Sequence, residues 1–273
     1  MLFDTHSHLN FSAFSQDRDF LIKEALSQEI WLINVGTNYQ TSKEAVEIAQ
    51  SQKEGVFAAI GLHPINLETG LVRIKNDDLE GKSLEKEFDF EKYYHLAKSK
   101  KVVAIGEIGL DYYQKPKTKK RLALFKEKQK ELFLKELKLA QDLKLPVIFH
   151  SRMAHQDLKE ILSLKIKGVM HGFVGNAEQL REYLKMDFYI GFNGIIFKKI
   201  TGIDFEKNIK MTPLKRILIE TDCPYLTPPG FSGEKNTPLA VKFIAEYIAK
   251  IKNISFEKVA ETTTQNAQLL FKI

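Results

Sequence analysis

Five of the seven histidines in this chain stand directly after short apolar runs: His6 and His8, then His63, His150 and His171. A lone histidine is usually a surface or core residue with a satisfied hydrogen bond. Five in equivalent places call for a shared cause, and imidazole's commonest shared task is metal ligation. Two acidic positions fall in the same register: Glu107 in Gly106-Glu107-Ile108-Gly109-Leu110-Asp111-Tyr112, and Asp222 in Glu220-Thr221-Asp222. A glutamate buried unpaired at a strand end is costly, so a cation is its natural partner. His6 and His8, as i and i+2 of a strand, point to one side and can grip one ion together. Asp4 shares that parity and is placed to orient a ring. His150 and His171, from neighbouring strands, can complete a second site, with Glu107 reading as a bridge. His6, His8, Glu107, His150, His171 and Asp222 thus supply ligands for two adjacent ions. Mixed imidazole and carboxylate donors suit zinc, manganese or iron, and magnesium where water fills the shell. Such a pair activates water and steadies the charge of an in-line displacement at phosphorus.

These residues need elements that bring them to one place. Apolar runs recur at Leu2–Asp4, Trp31–Val35, Val56–Ile60, Val102–Ile105, Pro146–Phe149, Gly168–Met170, Phe188–Ile190 and Ile217–Ile219, as strands buried on both faces do. Helical patterns lie between them. Leu122, Phe125, Leu132, Phe133, Leu137 and Ala140 trace one face of a long helix that must end before Pro146. Further helices read at His155–Leu164, Asn176–Lys185, Pro238–Lys250 and Phe256–Phe271, and Asn66–Asp89 reads as a long polar loop with one short helix. Strand alternating with helix eight times predicts an α/β fold with parallel strands. The polar signals recur at the ends of many strands, which favours a closed TIM-type (β/α)8 barrel over an open doubly wound sheet. No linker divides the chain, so residues 1–273 are expected to form a single barrel domain.

The bulk composition agrees. At 273 residues with 44% hydrophobic and 28% charged content, the chain is an ordinary globular one, and its single cysteine, Cys223, excludes an internal disulfide. No window reaches the roughly 18 apolar residues that cross a bilayer. The start Met1-Leu2-Phe3-Asp4 has no secretory pattern, so a cytoplasmic protein without a membrane partner is expected. With no long apolar stripe left over, it is expected to be a monomer. A net charge of +6 suits an anionic partner such as nucleic acid, or a surface solubilised by lysine.

In order along the chain, Asp4-Thr5-His6-Ser7-His8, Gly61-Leu62-His63-Pro64, the segment from Gly106 to Tyr112, His150-Ser151-Arg152, His171-Gly172-Phe173 and the segment from Glu220 to Leu226 form a set. That set resembles the motifs of the TatD-related deoxyribonucleases, a branch of the metal-dependent amidohydrolase superfamily, from Met1 to Asn266-Ala267. The resemblance implies a divalent-metal phosphodiesterase acting on DNA, of 3′ exonuclease or repair type, on single strands or 3′ ends. It makes His6 and His8 ligands of a first magnesium, manganese or zinc ion. Glu107 becomes the bridge, and His150 and His171 ligands of a second ion. Asp222 becomes the carboxylate that binds metal and takes a proton from the attacking water.

Other motif positions have two readings each. His63 either contacts the scissile phosphate or is a loop histidine fixed by Pro64. Arg152 either clamps a phosphate oxygen or pairs with Asp157. Asp111 orients a ligand or caps a turn. Tyr112 and Tyr113, followed by Lys115, Lys117, Lys119, Lys120 and Arg121, offer stacking faces beside positive charge, or a merely solvated helix start. Lys235 opens Lys235-Asn236-Thr237-Pro238 where the family pattern resembles Arg-Asn-Glu-Pro, and lysine keeps the charge while losing the planar fork. Asn193 stands where serine is more usual. The alternative function keeps barrel and metals but cleaves an amide or ester, aminoacyl-tRNA included. Many related barrels carry a carbamylated lysine where this chain has Glu107, which shifts weight to phosphodiesters. A catalytically idle nucleic-acid-binding barrel is disfavoured because all six ligand positions are filled.

Overall fold

The computed structural model describes residues 1–72, 84–162 and 166–273. The apolar runs form β1 (Leu2–Ser7), β2 (Ile30–Val35), β3 (Val56–Ile60), β4 (Val102–Asp111), β5 (Val147–Arg152), β6 (Gly168–Met170), β7 (Tyr189–Phe192) and β8 (Ile217–Ile219). All eight pair in chain order and in parallel, and β8 returns to β1 through Asp4 and Ile219, closing the predicted barrel. Every residue of β1 and β4 is buried, as strands covered on one side by helices and on the other by the barrel interior must be.

The outer ring is α1 (Arg18–Ser27), α2 (Tyr39–Ser51), α3 (Phe90–Leu96), α4 (Lys119–Leu143), α5 (His155–Ile161), α6 (Ala177–Lys185), α7 (Phe205–Met211), α8 (Val241–Lys252) and α9 (Phe256–Phe271). Local chemistry sets their limits. The side chain of Asn38 accepts the Thr41 N–H to start α2, and that of Asn176 accepts those of Glu178 and Gln179 to start α6. α4 stops at Lys144, left-handed at φ 54°, just before Pro146. The helix expected from Pro238 begins instead as a 3-10 turn over Pro238–Ala240, with α8 following. α5 ends at Ile161, and residues 163 and 164 of the expected helix lie outside the described residues. The expected loop over 66–89 is described only at its ends, where Leu67 and Glu85 form a parallel bridge; residues 73–83 lie outside the described residues.

β4 runs six residues beyond the expected Val102–Ile105. The polar-looking Gly-Glu-Ile-Gly-Leu-Asp stays in the sheet with a register shift between Ile105 and Ile108, where Glu107 sits. A second shift, between Asp4 and Ser7 in β1, separates Asp4 from the parity of His6.

Two apolar clusters hold the barrel. The larger packs helices against strands. In the smaller, Phe3, Ile33, Val35, Ala59, Val103, Ile148, Val169 and Leu218 meet Ala267, Leu270 and Phe271 of α9. Phe3, Val103 and Leu218 lie near strand starts, so α9 plugs the end of the barrel opposite the strand exits. Among the described residues no helix is long and apolar enough to cross a membrane.

Candidate metal centre

The strand exits bring the predicted ligands together in one place. From β1 and the turn after it, His6 Nε2 and His8 Nε2 lie 3.1 Å apart. Asp222, just past β8, puts Oδ1 3.3 Å from His8 Nε2 and 3.9 Å from His6 Nε2. Asp222 takes a left-handed φ of 57° and donates its N–H to His6 O at 2.8 Å, which folds its carboxylate back over β1. Glu107 of β4 faces two ways, with Oε2 3.4 Å from His6 Nε2. Its Oε1 lies 2.6 Å from His150 Nδ1, 3.6 Å from His63 Nε2 and 3.7 Å from His171 Nε2. Among the described residues, three groups can hold a cation: His6, His8 and Asp222; His6, Glu107 and His171; and His63, Glu107 and His150. His150 and His171, expected to share a site, fall in different groups, and Glu107 is common to both.

Neighbouring groups aim the rings. His8 Nδ1–H donates to Val35 O at 2.7 Å, and His171 Nδ1–H to Glu220 Oε2 at 2.9 Å, so each Nε2 faces the centre. Glu220 also accepts the Gly172 N–H at 2.9 Å. Asp4, expected to orient a ring, does not. It accepts the N–H groups of His6 at 3.2 Å and Thr221 at 2.9 Å, tying β1 to the end of β8. Glu220, which the sequence showed only as part of a motif, takes the orienting task.

The electrostatics are those of a cation box. Burial alone would raise the Glu107 carboxyl, but His63, His171 and His150 outweigh it and hold the group well below the usual carboxylate range. Asp222 is likewise lowered against burial, by the His8 hydrogen bond and the His171 and His6 rings. Burial would strip the proton from His171 and His150, yet Glu220 with Glu107, and Glu107 with Asp111, push them up to about 10 and about 9. His6 is lowered by burial and by His171. Converging carboxyl groups, inward Nε2 atoms on His8 and His171, and a His6 Nδ1 with no hydrogen-bond partner among the described residues all fit divalent cations.

His63 differs from the other rings. Burial and His150 lower it to about 3, so it is neutral, and its Nδ1 accepts the Ile65 N–H at 3.1 Å. Its proton therefore sits on Nε2, directed at Glu107, which makes it a donor into the site rather than a ligand.

The remaining expectations divide. Asp111 fills both its readings, with Oδ2 3.2 Å from His150 Nε2 and Oδ1 accepting the Tyr113 N–H at 2.8 Å. Tyr112 offers no stacking face: it is 2% exposed, and its hydroxyl donates to Asp157 at 2.9 Å. The exposed ring is Tyr113, at 56%, with the Arg152 guanidinium 3.7 Å from its centroid. Asp157 is taken by Tyr112, Lys126 and Lys130 instead of Arg152. Lys235 turns away from the phosphate-contact role, ion-pairing with Asp17 at 3.0 Å and lying 4.5 Å over the Phe14 ring. Asn193 accepts the Ile195 N–H at 3.0 Å and caps a 3-10 turn. A slot beside the centre is lined by Pro64, Ile65, Leu67, Asp111, Tyr113 and Arg152.

Comparison with known proteins adds to this geometry. The family described as TatD related DNase matches residues 3–272. An uncharacterized metal-dependent hydrolase of Bacillus subtilis, YabD, is 38% identical over the whole of both chains. The 3'-5' ssDNA/RNA exonuclease TatD of Escherichia coli is 30% identical across 100% of this chain and 99% of its own. Among solved structures, the TatD homolog YJJV of Escherichia coli superposes with a TM-score of 0.82 at 28% identity, covering 100% of this chain and 98% of that one.

Proposed function

This chain belongs to the TatD-related DNase family of metal-dependent hydrolases, and from that membership and the geometry of its centre we propose that it hydrolyses DNA phosphodiester bonds, working inward from single-stranded 3′ ends. The observation that carries the reading is Glu107, whose two oxygens face different histidine groups, His6 on one side and His63, His150 and His171 on the other. That arrangement suits a carboxylate shared by two ions. The exonuclease name of the Escherichia coli relative and the net charge of +6 support a nucleic-acid substrate.

Two divalent ions held by His6, His8, Glu107, His150, His171 and Asp222 would supply Lewis acidity to a water and to the phosphate. The rest falls to side chains. Asp222, ionised and beside His8, accepts the proton of the attacking water. Neutral His63 donates from Nε2 to a phosphate oxygen. Glu220 and the Val35 carbonyl keep the His171 and His8 rings from turning. Tyr113 and Arg152 stand exposed beside the centre to meet a base and a phosphate. A monomer is the proposed active unit.

The test is hydrolysis of an end-labelled single-stranded oligonucleotide with EDTA or with magnesium, manganese or zinc. Stepwise shortening from the 3′ end is expected only with metal. Asp222→Asn and Glu107→Gln should each lower the rate by roughly 10²-fold or more, as loss of a positioned acid or base does. Absence of cleavage by protein that binds two ions would move the reading to an amide or ester substrate.

A further inference from the structure

The apolar face of α4 contains two polar residues with almost no solvent access. Gln129 is 1% exposed and Glu136 fully buried, two turns apart among Phe125, Leu132, Phe133, Leu137 and Ala140. Buried polar groups need partners, and each of these finds one in the backbone of a different site segment. Gln129 Oε1 accepts the Asp111 N–H at 2.9 Å, and its Nε2 donates to Asp111 O at 3.0 Å. Glu136 Oε1 accepts the Leu62 N–H at 2.7 Å, one residue before His63.

Both contacts lead to Glu107. From Gln129 the route runs through Asp111 Oδ2 to His150 Nε2 at 3.2 Å, and from His150 Nδ1 to Glu107 Oε1 at 2.6 Å. From Glu136 it runs through Leu62 to His63, whose Nε2 lies 3.6 Å from the same oxygen. There is little slack in either. A Cβ at Gly61 would stand 2.6 Å from the Ile108 side chain, so the segment before His63 already lies tight against β4. The other group, His6, His8 and Asp222, is set by β1, by the Val35 carbonyl of β2 and by the end of β8, and among the described residues none of its hydrogen bonds or ion pairs reaches α4.

We propose that Gln129 and Glu136 are positioning residues, through which α4 sets His150 and His63 against Glu107 while leaving the His6, His8 and Asp222 group to the barrel seam. The inference rests on the reading that these groups hold cations. Burial pushes the Glu136 carboxyl well above the usual range, so the neutral acid is the form that fits, and a glutamine is its near isostere.

The experiment compares Gln129→Leu, Glu136→Leu and Glu136→Gln with the unaltered chain. Titration calorimetry with manganese reports both ions, and ¹⁵N-histidine NMR of metal-free protein reports each ring. Gln129→Leu should weaken one ion by roughly 10–100-fold, the usual effect of losing a residue that orients a ligand, and leave the other unchanged, while Glu136→Leu, which acts through the donor His63, should leave both ions unchanged. Ring signals of His150 should move in Gln129→Leu and those of His63 in Glu136→Leu, with His8 and His171 still. Glu136→Gln should match the unaltered chain in every readout. Equal weakening of both ions, unmoved His150 and His63 signals, or a glutamine variant as impaired as the leucine one would overturn the proposal. Should a leucine variant not fold, Gln129→Glu keeps the acceptor and loses the donor, and it must still move His150. A chain that bound no ion would end the metal reading, yet the ring signals would still decide whether α4 holds these histidines.

Discussion

Asp4 and Asp222 are aspartates at the same seam of the barrel, and their neighbours drive them opposite ways. Asp222 faces His8, His171 and His6, which overcome burial and keep it ionised. Asp4 meets Thr221 and the His6 backbone, hydrogen bonds too weak to offset burial, and it is pushed up to about 8. Its folded value thus lies above the ordinary aspartate value of about 3.9. Between about pH 4 and about pH 8 the native chain holds a proton that the unfolded chain has lost. Stability is fully present below that window and falls as pH rises through it, by up to about 1.4 kcal/mol per pH unit. Asp4→Asn cannot ionise, so its melting temperature relative to the unaltered chain should improve steadily from pH 5 to pH 8 in EDTA, read by calorimetry. Parallel melting curves would mean that Asp4 carries no such proton. The residue types that the sequence singled out as candidate ligands do gather at the strand exits, because such types in equivalent places after apolar runs are rare by chance. It misplaced Asp4 because strict alternation assumes an unbroken register, and β1 shifts between Asp4 and Ser7. Tyr112, expected beside Tyr113 as a stacking face, is buried for a related reason: at a strand end nothing in the residue types says which ring turns inward.

Strands were legible as elements wherever they were apolar, and β4 was legible only in its first part. Its continuation reads as a loop, since glycine and acidic residues are poor strand formers. Only the tertiary fit reveals why glycine is needed there. Gly109 takes a φ of 149°, and a Cβ on it would stand 2.1 Å from the His150 backbone oxygen. A side chain would therefore push β5 away from β4 at the residue that faces Glu107. Gly109→Ala should destabilise the chain by on the order of 2–3 kcal/mol in urea unfolding and weaken ion binding as His150 is displaced. Gly70→Ala is the control, because Gly70 also has positive φ, 67°, but among the described residues nothing lies within 4 Å of the added Cβ. Strain without collision should cost about 1 kcal/mol there and leave ion binding intact. Equal losses at the two positions would show that backbone conformation, not the contact with β5, is what Gly109 provides. α4 was visible from its period, while the purpose of Gln129 and Glu136 was not, because hydropathy cannot show which backbone a buried polar group will meet.

At the scale of the whole barrel, chemistry and stability occupy opposite ends. The strand exits gather buried carboxyl groups and rings whose charges oppose burial, while α9 closes the other end with Ala267, Leu270 and Phe271 against Phe3, Ile33 and Leu218. The alternation of strands and helices made the barrel predictable, but which helix plugs its base was not, since α8 and α9 are both amphipathic and only the closed sheet defines an inside. This separation predicts a double dissociation. Leu270, 4% exposed, should lose about 2–5 kcal/mol on truncation to alanine, lowering the melting temperature while the affinity for manganese stays unchanged below the transition. Asp222→Asn should do the reverse. Asparagine tolerates the left-handed φ of 57° at that position, so the metal-free chain should melt within a few degrees of the unaltered one, whereas ion binding and hydrolysis should fail. Melting curves and manganese titrations on the same two proteins decide it. If Leu270→Ala also lost an ion, the base of the barrel would have to be part of what holds the strand exits in place, and the barrel would act as one coupled body from α9 to Glu107.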